Sequence, residues 1–244
     1  MAPAPTALPI VPTTPIPGAS PPASDEAAGK SLGDRAYDQL LDRMLEGTFA
    51  AGTLLQERSL AEMLGISRTP VREALAKLES EGFVTRHVGR LLVVREVPMR
   101  ELMEILHVRT ILETEAAGIA AGRVARTDLR AMRQLFEAQL EGPLPDGGDF
   151  WAADDRLHGL LVDAAGNAVL ADTVRSLRRR TRMFNLKRLP ERFVPGCLEH
   201  LAIVTALEQG DAAAARAAVA THLDNTRRSI LAKLEPLSGV RPGG

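Results

Sequence analysis

Residues 59–75 constrain the fold more tightly than any other stretch, because three local rules act there in succession. Ser59-Leu60-Ala61-Glu62 has the form of a capping box: the serine hydroxyl would accept from the third helical amide and the glutamate would reach back to the cap. Gly65 then suits the left-handed residue that closes a short helix. A second helix must start almost at once. Thr69 can cap it with Pro70 in the first helical position, or Ser67 can cap it earlier. Val71, Ala74, Leu75 and Leu78 form its apolar face, and Gly82 ends it. Helices joined this tightly must pack across the turn, so Leu60, Leu64, Val71 and Leu75 are predicted to interlock. That packing leaves Arg68, Thr69 and Arg72 on the outer face of the second helix's first turns.

The flanks extend the motif. Upstream, Tyr37, Leu40, Leu41, Met44 and Leu45 follow helical spacing. Downstream, Phe83–His87 and Leu91–Val94 read as short strands, with Val88-Gly89-Arg90 as their turn. Three helices and a hairpin over residues 31–96 outline a winged helix-turn-helix domain. Its charge is divided: residues 31–67 hold three basic and six acidic residues, residues 68–95 six basic and three acidic. Positive charge is therefore concentrated on the second helix of the motif and on the wing, where a DNA backbone would lie. Arginines at such a helix's start can reach phosphates and base edges in the major groove. Ahead of this domain, eight of the chain's sixteen prolines fall within residues 1–22, and the first basic residue is Lys30. Residues 1–30 are expected to be a disordered tail, not a signal peptide and not a DNA-gripping arm.

From residue 97 to 236 only helical patterns occur. Helices are predicted over about 98–121, 127–141 with Thr127 as cap, 149–164, 168–189, 196–209 and 212–235. Gly142 to Gly148, Gly166-Asn167, Pro190 and Gly210-Asp211 separate them, and Asp211 is placed to cap the last. This is an all-α six-helix bundle, with residues 237–244 as a C-terminal tail. Aromatic residues are 3% of the chain, so the cores must be built from Leu, Ala, Val and Met. The single cysteine, Cys197, rules out an internal disulfide or a cysteine-based zinc cluster and is expected to be inert. No run of 18 apolar residues suits a membrane span, so the expected compartment is the cytoplasm.

Three of the five histidines converge with an aspartate in this second region. Asp154 and His158 are four apart and share a helix face. His200 lies ten residues before Gly210-Asp211 and His222 eleven after Asp211. In an antiparallel hairpin both stand about 15–16 Å from the turn, at about 1.5 Å per residue. Three imidazoles and a carboxylate suit Zn²⁺, with Ni²⁺ or Mn²⁺ as alternatives. Spacing alone does not carry this, because a histidine on a mostly apolar helix is more often a packed or surface residue. His87 lies in the wing, and His107 reads as structural or pocket-lining. The run Arg178-Arg179-Arg180 reads as a solvated face.

The segment Leu60-Ala61-Glu62-Met63-Leu64-Gly65-Ile66-Ser67-Arg68-Thr69-Pro70-Val71-Arg72-Glu73-Ala74-Leu75, followed by Leu78-Glu79-Ser80-Glu81-Gly82, resembles the GntR family of bacterial transcription regulators. The resemblance implies that Arg58, Arg68, Thr69 and Arg72 contact double-stranded DNA, with Gly89 and Arg90 at the wing tip. The wing order differs from the family's usual Arg-Gly, and Leu55 stands where the family often has proline. The C-terminal half resembles the FadR-type subfamily with its ligand-sensing FCD domain: Asp154-Asp155-Arg156-Leu157-His158, Glu199-His200 and His222-Leu223 are similar to its metal motifs. This implies Asp154, His158, His200 and His222 as ligands of a divalent ion, with Asp155 the competing carboxylate. Six helices place the chain nearer the VanR-like branch.

Arg109, in an Arg-x-x-Leu-Glu segment similar to the family's, is the candidate clamp for an effector carboxylate; an ion pair with Glu113 is the competing role. Arg182 and Asn185 are further candidates to line the effector cavity. The expectation is a homodimeric regulator, a repressor, acting on a two-fold symmetric operator and modulated by a small organic acid. The competing reading is a metal-dependent enzyme acting on a small carboxylate.

Overall fold

The computed structural model describes residues 29–87, 91–142, 147–183 and 190–234. The chain forms two compact units that meet in sequence at Val97 and Pro98.

In the first unit, α1 (Leu32–Leu45) is capped by Ser31, whose hydroxyl accepts from the Asp34 amide at 3.0 Å. α1 packs its buried Tyr37, Leu40, Leu41 and Met44 on α3 (Arg68–Ser80), which buries Val71, Ala74, Leu75 and Leu78. α2 (Glu57–Leu64) joins α3 through Gly65, whose φ of 67° is the left-handed conformation that the tight turn requires. One expectation is corrected here, and one left between two residues is decided. α2 begins two residues before Ser59, with Gln56 at its N-cap, so no capping box forms. Ser67, not Thr69, stands at the N-cap of α3, and its side chain makes no cap hydrogen bond.

β1 (Leu54–Leu55), β2 (Val84–His87) and β3 (Leu91–Val94) form an antiparallel sheet in the order β1-β3-β2. Leu54 pairs with Val93, and Val84 with Val94. The hairpin matches the strands predicted; β1 was not predicted. The wing turn, with Gly89 and Arg90, lies outside the described residues, as do the tail to residue 28 and the stretch after residue 234. The unit is a winged helix-turn-helix.

The second unit is all-α: α4 (Met99–Ala120), α5 (Arg126–Glu141), α6 (Gly147–Ala164), α7 (Ala168–Met183), a single 3-10 turn at Pro190–Arg192, α8 (Phe193–Gln209) and α9 (Ala212–Leu234). Thr127 falls inside α5, whose N-cap is Ala125. α8 begins at Phe193, three residues earlier than predicted. Pro195 sits in its first turn, where a missing amide costs nothing.

The core interleaves Leu129, Met132 and Phe136 of α5 with Leu157 and Leu161 of α6, Ile203 and Leu207 of α8, and Val219 and Leu223 of α9. α4 lies along α9, α6 and α7. Gly118 leaves room for the guanidinium of Arg216, which crosses α4 to reach Glu115 at 3.2 Å. The α8–α9 hairpin turns on Gly210, with φ 68°, and on Asp211, whose carboxylate accepts from the amides of Ala213 and Ala214 at 3.0 and 2.9 Å. This turn sets the relative height of His200 and His222.

Candidate metal centre and nucleic-acid interface

α6 presents Asp154 and His158, α8 presents His200, and α9 presents His222. All four are buried, and one potential ligand atom from each lies within 4.8 Å of the others. The rings of His200 and His222 are 4.6 Å apart, as the hairpin arithmetic anticipates. Asp154 Oδ1 stands 3.0 Å from His200 Nε2 and 3.8 Å from His158 Nε2.

Two carboxylates outside this quartet orient two of the imidazoles. Glu113 of α4 contacts His158 Nδ1, and Glu199 Oε2 lies 2.9 Å from His222 Nδ1. A carboxylate on Nδ1 holds the proton there and leaves Nε2 with its lone pair, which is the arrangement that metal-binding histidines take from their supporting groups. His158 Nε2 is buried and has no hydrogen-bond partner among the described residues. An unsatisfied buried nitrogen is costly unless something fills its coordination. Imidazole nitrogens and a carboxylate form a donor set that suits a divalent first-row ion.

The electrostatics hold these donors in their binding forms. Burial, reinforced by Arg178, pushes the His158 imidazole down to about 3, against the pull of Glu113 and Asp154. Burial also lowers His222. Burial would raise Asp154, but Arg178, His200 and His158 outweigh it and keep it ionised. Glu113 is likewise held well below the usual range, since Arg109, His158 and Arg178 overcome its burial. Hydrogen bonds from His222, Arg192 and Asn225 bring Glu199 down to about 2 despite its burial.

These shifts fix a sign. An unfolded chain binds protons on histidine near 6.5 and on glutamate near 4.5, whereas the folded groups resist until lower pH. The unfolded state therefore takes up more protons between these values, and stability falls as pH falls. Melting of chelator-treated protein should shift steadily downward from pH 7.5 to 4.5. An unchanged melting temperature over that range would contradict the burial of neutral imidazoles.

The structure corrects the reading of the arginine run. Arg178 is not solvated: it is buried and binds Asp154 and Asp155, the latter at 2.8 Å. Arg180 contacts Glu101. Asp155, the competing carboxylate, is taken by Arg178 and by Arg182, whose Nη1 lies 2.8 Å from it. Arg109 is buried with its Nε 2.6 Å from Glu113 Oε1 and its Nη1 3.2 Å from Thr181 Oγ1, so the ion pair weighed against the clamp is present. His107 is exposed on α4 and is no part of the core. Cys197 is buried, and burial raises its thiol to about 11, which leaves it unreactive. Asn185 lies outside the described residues.

In the first unit, Arg68, Thr69 and Arg72 are exposed at the start of α3. Glu57 of α2 faces both arginines: Arg72 donates from Nε and Nη2 at 3.0 and 2.9 Å, and Arg68 from Nη2 at 3.2 Å. Arg58 is exposed and pairs with Glu62 at 3.0 Å, one turn along α2.

A winged helix with arginines on the outer face of its second motif helix, followed by a helical unit with a buried histidine cluster, defines a class: a DNA-binding regulator with a second, helical domain. The chain belongs to the GntR family. Residues 32–94 match the family "Bacterial regulatory proteins, gntR family", and residues 104–225 match the FCD domain. A regulatory protein assigned to the L-lactate dehydrogenase operon of Escherichia coli K12 is 32% identical over 223 residues, covering 80% of this chain and 84% of that protein. The Nta operon transcriptional regulator of Aminobacter aminovorans is 32% identical over 134 residues, covering 55% of this chain and 64%, less than two thirds, of that one. The solved structure of E. coli McbR/YncC has the same fold, with a TM-score of 0.73 at 24% identity over 86% of this chain and all of that one. The protein is thus a transcriptional regulator of the GntR family. Among the described residues no helix is long and apolar enough to cross a membrane.

Proposed function

We propose that the protein is a homodimeric repressor that binds a two-fold symmetric DNA operator through α3 and the wing and is released by a small organic acid bound beside a divalent ion. Arg58, Arg68, Thr69 and Arg72 contact the duplex, with Gly89 and Arg90 at the wing tip. Asp154, His158, His200 and His222 hold the ion, Zn²⁺ with Ni²⁺ or Mn²⁺ as alternatives. A bound ion of this kind offers the effector's carboxylate a Lewis-acidic docking point. The observation that carries the reading is the pair of buried imidazoles, His158 and His222, whose Nδ1 atoms rest on Glu113 and Glu199, within a cluster that also holds His200 and the Asp154 carboxylate.

The class of effector follows from charge. Arg109, Arg178, Arg182 and Arg192 are tied to Glu113, Asp154, Asp155 and Glu199, so the cations and anions of the cluster balance. A divalent ion then adds uncompensated positive charge to a buried site, which an anion offsets. Arg109 on α4 would clamp the effector's carboxylate by turning from Glu113, Arg182 on α7 would line the site by turning from Asp155, and Asn185 follows it in sequence.

The test is a thermal-shift screen of small mono-, di- and hydroxycarboxylates on Zn²⁺-loaded protein and on chelator-treated protein. A true effector stabilises the state it binds, by about 2.7 kcal/mol at a hundredfold excess over its dissociation constant. Stabilisation is expected only in the loaded form. Equal stabilisation of both forms would separate effector binding from the ion.

A further inference from the structure

The first turn of α2 holds an acidic side chain that faces the DNA-reading arginines, an unusual place for negative charge in a domain that must approach phosphates. Glu57 opens α2 and is partly exposed, its side chain at 26%. Its carboxylate accepts in parallel from Arg72 Nε and Nη2, a fork-to-fork pair, and also from Arg68 Nη2. The hydrogen bond from Arg72 is the foremost cause of the lowered Glu57 carboxyl, so the carboxylate is charged when the contact is made. Glu57 and Arg72 also share the wall of a cleft of about 430 Å³ between α3 and the sheet, with Leu55, Arg86 and Leu92.

A guanidinium has two donor edges. A carboxylate on the Nε–Nη2 edge leaves the Nη1–Nη2 edge as a second parallel donor pair, the geometry that matches O6 and N7 of guanine. A long side chain held at one edge also loses less rotamer freedom when the other edge binds. We infer that Glu57 is a specificity-positioning residue: without touching DNA, it fixes the Arg72 guanidinium so that its free-standing edge reads guanine. Three consequences follow. Removing the charge costs base discrimination. Affinity for unrelated duplex is kept or rises, because a negative charge near the phosphates is gone. Arg68, held on the same carboxylate through one nitrogen, is positioned more loosely.

This inference rests on the reading that α3 enters the major groove, and the experiment separates the two. Randomised duplexes are selected in parallel with the full chain, with Glu57→Gln, with Glu57→Ala and with Arg72→Ala, and the enriched pools are sequenced. Binding to a poly(dA-dT) duplex and thermal melting are measured for each. Wild-type pools should show a guanine position in each half-site, and Arg72→Ala should erase it. Glu57→Gln should weaken that preference by about tenfold, the scale of one guanine contact, with melting near wild type and poly(dA-dT) affinity equal or higher. Glu57→Ala should weaken it further. If Arg72→Ala erases the guanine preference while both Glu57 variants keep it, the positioning role is wrong and the groove reading stands. If Glu57→Gln binds the wild-type sequence more tightly with unchanged preference, Glu57 is a clasp that DNA must open, which also overturns the inference. If Arg72→Ala leaves the pool unchanged, the groove reading itself fails.

Discussion

Replacing His200 and His222 together by alanine is expected to lower Zn²⁺ affinity by at least about a thousandfold, roughly 4 kcal/mol. The two side chains supply half of the proposed ligand set, from adjacent helices whose heights the Gly210-Asp211 turn fixes. Asp154 and His158, four apart on α6, would be left as a two-point site. Glu199 keeps Arg192 and Asn225 as partners after the change, so its charge stays compensated. Equilibrium dialysis against Zn²⁺ with elemental analysis measures the effect, and circular dichroism checks that the helices persist. Full occupancy in the double variant would refute the assigned ligands.

Arg72→Ala is expected to weaken operator binding by at least about thirtyfold. A bidentate arginine–guanine contact contributes about 1–3 kcal/mol, and the proposed two-fold dimer would make it twice. The effect on folding should be small. Arg72 is exposed at 63% of its side chain, and its ion pair with Glu57 lies at the surface, where such pairs stabilise little. Fluorescence anisotropy on a selected duplex, beside size-exclusion chromatography, separates lost binding from lost assembly. Unchanged affinity would remove Arg72 from the DNA contact set.

The winged domain was legible because its signals are local. Gly65, the apolar spacing of α1 and α3, and the hairpin runs each act over a few residues, and all agree with the observed elements. β1 escaped because two adjacent leucines, Leu54 and Leu55, show no alternation; only their partners Val93 and Leu92 make them a strand. The start of α2 was displaced because Ser59 and Glu62 satisfy a capping pattern that the chain does not use once Gln56 begins the helix.

In the second unit an i,i+4 pair and a hairpin count brought the four residues together, and only the resemblance to the FadR-type subfamily implied them as a ligand set. Their supporting shell was not legible. Glu113 could be seen as the neighbour of Arg109 along α4, but its contact with His158, 45 residues away, is a product of packing. Arg178 was hidden within three consecutive arginines. Of these Arg178 faces Asp154 and Asp155 across α6, and a helix places consecutive residues about 100° apart, so a run of like residues cannot share one environment. Long-range ion pairs of this kind have no periodic signature.

The account joins two claims: α3 reads DNA, and the centre formed by Asp154, His158, His200 and His222 controls that reading. One measurement tests the join. Affinity for a wild-type-selected duplex is measured by anisotropy with Zn²⁺-loaded and with chelator-treated protein, each with and without the carboxylate that stabilises the loaded form. The account predicts at least about a tenfold loss of DNA affinity on adding the carboxylate to the loaded protein, a coupling within the usual allosteric range, and no change in the chelated protein. The same affinity under all four conditions would contradict it.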